Sequence, residues 1–253
     1  MPLAELVTAQ VLAVALVFAR LGAALTFMPG FGEGSVPVRV RLLFALVLSV
    51  ALQPATPAVR GLEAAAAPLV MLPLLGTELA VGLWIGLTAR ILMSALQFAG
   101  FQIGAVTGLA NAFAPGLGSF EGSTMIAGGL LMAGVALIFA TDLHHLIVEA
   151  MLLSYDVFPV GALPAGDLAA QIAAAAAASF RIGLSISAPF LVVGLLLNLG
   201  LGLANRMMPT LPVFFVAVPV LIAAGFVVLV ASGPALFEGF LAALARWLAT
   251  FEI

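Results

Sequence analysis

The chain has 253 residues, 64% of them hydrophobic and only 8% charged, against about 45–50% and about 25% in an ordinary soluble domain. That composition cannot cover a water-facing surface, and a mean hydropathy of +1.31 places the chain in lipid. Eight arginines against eleven acids give a net charge of −3, too weak a field to recruit nucleic acid, and with no lysine or cysteine the chain has no Schiff-base amine, thiol nucleophile, thiolate metal site or disulfide.

A bilayer crossing needs roughly 20 apolar residues at about 1.5 Å each. The first window, Leu6 to Met28, has no basic segment before it and no small-residue cleavage site, so it reads as a retained first membrane helix. An irregular Pro29-Gly-Phe-Gly-Glu-Gly-Ser-Val-Pro37 follows. The apolar run Leu42 to Leu52 is short and stopped by Pro54 and Pro57, which fits a buried half-span, a re-entrant leg or a full crossing. Leu69 to Ala89 and Ile91 to Asn111 are two further windows, separated at Arg90. After them Ala114-Pro-Gly-Leu-Gly-Ser-Phe-Glu-Gly-Ser123 has the composition of a flexible, weakly solvated loop.

Thr124 to Thr141 is the next window. In residues 143 to 158, Leu143, Leu146, Ile147, Ala150 and Met151 share one helical face, which predicts an amphipathic helix. Beyond Pro159 to Pro164, Asp167 is placed to cap an alanine-rich helix toward Phe180. The windows Ile182 to Ala204 and Val213 to Ser232 follow, and Pro234 to Ile253 is weakly amphipathic. If the short run crosses, Arg39, Arg41, Arg90, Arg181 and Arg246 share one side against Arg60 and Arg206, which favours an outside N-terminus.

Catalytic signatures are incomplete. Gly183-Leu-Ser-Ile-Ser187 lacks the last glycine of a nucleophile elbow, Gly116-Leu-Gly-Ser-Phe-Glu121 lacks that of a dinucleotide fingerprint, and neither sits between a strand and a helix. Asp142, His145 and Glu149 share a helical face, but the adjacent His144 points about 100° away, so no metal or other cofactor is expected. The histidines read as capping or juxtamembrane hydrogen-bonding groups. Gly100, Gly104 and Gly108 form a ladder at four-residue spacing, with a shorter one at Gly82 and Gly86. Such residues let helix backbones approach, within one chain or between chains.

Arg20 and Glu78 fall inside apolar windows, where a charge costs about 2.5–3.5 kcal/mol on insertion scales, so they need partners or water. Prolines 29, 37, 54, 73, 115, 189, 209, 212 and 219 interrupt or adjoin apolar stretches. Broken backbone at membrane depth survives only against protein or a water-filled cavity, which favours a subunit enclosed in a larger assembly.

These breaks form a pattern. Arg20-Leu-Gly with Met28-Pro-Gly, then Ser35-Val-Pro-Val-Arg39-Val-Arg41 and Pro54, resembles the N-terminal region of the FliR family of flagellar type III export-gate proteins, whose injectisome counterparts are called SctT. Further blocks agree in order: Ala99-Gly-Phe-Gln-Ile-Gly104 with Gly108; Asp142-Leu-His-His145 with Ser154-Tyr155 and Pro159-Val-Gly161; and Leu197 to Pro209, running on to Val213-Phe214 and Pro219. The chain departs from the family pattern at Phe101, Thr210, Pro212 and Leu221, where polar side chains are usual.

The resemblance implies an all-α integral membrane protein, with broken helical hairpins like a fusion of the FliP and FliQ folds, built for a helical hetero-oligomer. It implies one export-gate domain over residues 1–253, no enzymatic activity, and a place in the flagellar basal body of the bacterial inner membrane. The implied partners are FliP-like and FliQ-like subunits, an FlhB-like switch protein and unfolded export substrates in transit. A loop of this subunit is expected to plug the closed pore, within residues 106 to 123. Phe113, Leu117 and Phe120 are the plug candidates, because weakly hydrated side chains close a pore by dewetting. Gly100, Gly104 and Gly108 are the candidate packing surface, and Arg20, Glu78 and Arg206 the candidate buried-charge or interface residues. The rival is a small-molecule or ion transporter that uses intramembrane Glu78 as its relay.

Overall fold

The fold is described from a computed structural model, which covers residues 3–56, 68–109, 119–207 and 213–252. Every regular element among the described residues is helical. In chain order they are α1 (Leu3–Phe27), α2 (Val38–Leu52) with a 3-10 turn at Gln53–Ala55, α3 (Pro68–Thr107), α4 (Ser119–Ala140), α5 (Leu143–Val157), α6 (Ala165–Met207) and α7 (Val213–Thr250). Six stretches of them are long and apolar enough to cross a membrane.

The break expected at Arg90 does not occur. α3 runs through it for 40 residues, a contour of about 60 Å, twice the hydrocarbon thickness. Alanine, leucine and arginine all favour helix, and nothing between the two apolar windows stops one. α6 (43 residues) and α7 (38 residues) likewise absorb the alanine-rich and C-terminal stretches that the sequence had set apart. Pro73, Pro189, Pro219 and Pro234 lie inside these helices. Each removes one hydrogen bond, and the helix resumes because the flanking turns keep theirs. Arg90 and Arg181 are therefore helical and not in connections, which undoes the arginine count behind the orientation.

Other punctuation holds. α1 stops two residues before Pro29, and Pro37 precedes α2 with φ −57°. Asp167 stands in the first turn of α6 and not at its cap. It still meets the positive end of the helix dipole. α4 begins at Ser119, so the glycine-rich loop ends earlier than its composition indicates.

The helices form two compact units. The first comprises Met1–Ile91, Ile138–Ala175 and Ala245–Ile253. Its core draws Leu16, Val17, Leu21 and Leu25 from α1, Val81 and Ile85 from α3, and Ile147, Ala150 and Met151 from α5. α1 and α3 approach closely at the Gly82 and Gly86 ladder, where a Cβ would strike the carbonyl oxygens of Arg20 and Ala24. Trp84 meets Phe158, Trp247 and Phe251 at centroid distances of 5.1, 6.5 and 6.1 Å, and its Nε1 donates to the Leu168 carbonyl at 3.1 Å. α2 buries only Ala45 and Ser49 and turns Leu43 and Val47 outward.

The second unit comprises Leu92–Leu137 and Ala176–Leu244. The last turns of α3 are its axis: Gly183 of α6 faces the Ala95 carbonyl, Gly194 faces Val106, and Gly225 of α7 faces Thr107. Glycine lies at each approach because a Cβ there would meet a neighbour below ordinary contact distance. The outer sides of α6 and α7 stay apolar, with Leu195, Leu199, Leu203, Val227 and Val230 all exposed.

Candidate functional site

The first unit has a charged group at its centre. Arg20 and Glu78 pair at two points, Nε to Oε2 at 2.7 Å and Nη2 to Oε1 at 2.9 Å, and both side chains are 1% exposed. Nη1 donates to the Ser154 carbonyl (2.8 Å) and hydroxyl (3.3 Å), and Nη2 also donates to the Phe158 carbonyl at 2.9 Å. These five bonds use every N–H that a guanidinium has. Ser154 and Phe158 lie at the C-terminal end of α5, where the helix dipole favours a cation. One arginine thus ties α1 to α3 and closes the end of α5.

Tyr155 completes the group, with Arg20 Cζ 4.0 Å from its ring centroid. Burial pushes the Tyr155 phenol well above its ordinary value; Arg20 pulls the other way and Glu78 adds to the rise. The hydroxyl is buried and has no hydrogen-bond partner. A second ion pair, Arg90 Nη1 to Glu33 Oε1 at 2.7 Å, joins α3 to the turn after α1, and Arg41 donates to the carbonyls of Phe31, Glu33 and Val36 in that turn.

The sequence singled out Arg20 and Glu78 but could not pair them across 58 positions. It also missed the Glu33–Arg90 pair and the aromatic group around Trp84. The signal for Glu33 was present: it is the only acid in the Pro29–Pro37 turn, with arginines nearby in sequence. Arg206 lies exposed in the last turn of α6.

Gly100 and Gly104 of the ladder work together within this chain. A Cβ at Gly100 would collide with the Ala127 backbone of α4, and one at Gly104 would lie 2.8 Å from Ser123 Oγ. Gly108 differs: its φ is +70°, it stands just past the end of α3, and a Cβ there would meet only Leu221 Cβ at 3.9 Å. It ends a helix, as glycine does without strain. Of the plug candidates, Phe113 and Leu117 lie outside the described residues, and Phe120 falls in the first turn of α4.

A family model described as "Bacterial export proteins, family 1" matches residues 11–247. A protein named flagellar biosynthetic protein FliR from Caulobacter vibrioides is 39% identical over 227 residues, 88% of this chain and 89% of its own. The FliR proteins of Bacillus subtilis and Escherichia coli are 32% and 27% identical, over 85% of this chain and 83% and 82% of theirs. The match runs from the first turns of α1 almost to the end of α7 and takes in both partners of the buried ion pair, so the chain belongs to family 1 of the bacterial export proteins, the family of the FliR flagellar biosynthetic proteins.

Proposed function

We propose that this chain is a subunit of a flagellar type III protein export gate in the bacterial inner membrane, where it helps form and close the pore for unfolded flagellar subunits. The observation that carries the reading is the family match over residues 11–247, with FliR relatives aligned over most of both chains. The structure supports it in a second way. α3, α6 and α7 have contours of about 57–65 Å, and a hydrocarbon layer covers about 30 Å of that. Protein neighbours are the other environment for the outward leucines and valines, and FliP-like and FliQ-like subunits are assigned here, with an FlhB-like protein as switch. Arg206, exposed at the end of α6, is offered to such a neighbour. Glu78 is held by Arg20, so the transporter reading loses the acid it needs.

The closed state is assigned to the segment around residues 106 to 123, with Phe113, Leu117 and Phe120 excluding water from the pore. Co-purification tests the assembly: the chain should leave the membrane in a stable complex with FliP-like and FliQ-like proteins. Extraction as a single chain from cells that make both would overturn it. Serine at the three plug positions should raise ion conductance in assembled complexes, and unchanged conductance would reject the plug.

A further inference from the structure

Between α4 and α5 the backbone turns at Asp142, whose φ of 58° lies in the left-handed region. The turn gathers Asp142, His144 and His145, and one donor atom of each lies within 4.8 Å of the others. Side chains of adjacent helical residues diverge by about 100°. Here the two imidazole rings nonetheless meet, with centroids 4.0 Å apart and planes inclined by 38°. Phe139 backs His144 at 5.4 Å, and His145 Nδ1 stands 3.8 Å from the Asp142 carboxylate. The His144 Nδ1 is shut off from solvent and has no hydrogen-bond partner. Its lone-pair or donor capacity is unused, which is unusual for a buried polar atom.

We propose that Asp142, His144 and His145 form a binding site for a divalent transition-metal ion, with Zn2+ as the reference probe. Two imidazoles and a carboxylate are a ligand set for ions of this borderline class, and a water can take the fourth position. Ligands at zinc bond lengths stand about 3.4 Å apart in a tetrahedron, so donors now within 4.8 Å must close by a modest rotation. The Asp142 and His145 side chains are 78% and 75% exposed and free to swing, while His144, set against Phe139, is the fixed point. The three residues lie outside the six stretches long and apolar enough to cross a membrane. A bound ion would pin the turn after α4 to the first turn of α5, the helix whose far end holds Arg20.

The test uses the full chain, or its complex, purified in detergent without a polyhistidine tag. Titration with Zn2+ by calorimetry should show one saturable equivalent, and Co2+ should give visible tetrahedral d–d bands. His145→Ala and Asp142→Asn should each weaken Zn2+ binding by at least about tenfold and abolish the bands. Glu149→Gln, one turn further along α5, should bind as the parent does. The substituted side chains are exposed, and an unchanged Tm confirms that the variants are folded. Absence of a saturable equivalent, or Zn2+ binding that His145→Ala and Asp142→Asn leave unchanged, would overturn the proposal.

Discussion

Arg20 of α1 and Glu78 of α3 face each other as a two-point ion pair, 2.7 and 2.9 Å long, with both side chains 1% exposed. Charges in so dry a place are stable only together. Removing one leaves the other unpaired, at a cost of about 3–5 kcal/mol, whereas replacing both by apolar groups of similar size is often neutral. Arg20→Met and Glu78→Leu alone should therefore each collapse the thermal stability or yield of the purified chain, and the double variant should recover most of it. Equal losses in the single and double variants would refute mutual compensation. Arg20→Lys should rescue poorly, because a lysine ammonium has three donors for acceptors now served by five.

Tyr155 gives a pH-dependent signature. It is the chain's single tyrosine, so tyrosinate absorbance reports it alone. In the unfolded chain the phenol loses its proton near 10, while burial in the folded chain holds the proton to well above that value. Above pH 10 the unfolded state binds fewer protons, so the stability from neutral Tyr155, complete below that pH, is lost as pH rises. Alkaline titration should show no tyrosinate until the protein unfolds. Tyr155→Phe should remove this part of the alkaline instability and cost little at neutral pH, because the hydroxyl has no partner and the ring over Arg20 remains.

The glycines of the second unit separate by what surrounds them. Gly100→Ala would drive a methyl group into the Ala127 backbone, whereas Gly128 has nothing within 4 Å of an added Cβ. The first substitution should destabilise by about 1–3 kcal/mol. Gly128→Ala should be neutral or stabilising by up to about 1 kcal/mol through helix propensity. Thermal melts of the two variants side by side decide the matter, and equal behaviour would remove the case for a close α3–α4 contact.

Gly108 should be intolerant for a different reason. Its surroundings are open, but φ of +70° disfavours any L side chain. Gly108→Ala should cost about 1–2 kcal/mol, and Gly108→Asn less, because asparagine tolerates the left-handed region. If alanine and asparagine behave alike in thermal melts, the backbone conformation is not what demands glycine here.

Much of this was legible along the chain. The amphipathic face of α5 put Ile147, Ala150 and Met151 inward, where they are buried. The turn prolines at 29 and 37 fell between helices because a ring that lacks an N–H suits a helix start or a turn. The interior prolines misled, since a proline weakens one turn while a long apolar helix keeps its other hydrogen bonds. Arg90 misled in the same way: a lone arginine in sequence suggests a membrane boundary, yet its charge is met by Glu33, 57 residues away.

Composition and periodicity by themselves determined that the protein is helical, apolar on its outside and not an ordinary water-soluble domain, because 8% charge cannot solvate a surface and the apolar windows are long enough for helices. The order of its glycine, proline and arginine blocks determined the family. Only the tertiary structure decided which charges meet, which ladder glycines face another helix and which one ends a helix, and that two neighbouring histidines share a side. The charge contacts around Arg20 alone reach 58 to 138 positions along the chain. A pattern read along one helix fixes which face is apolar, but it carries no term for what lies across from it.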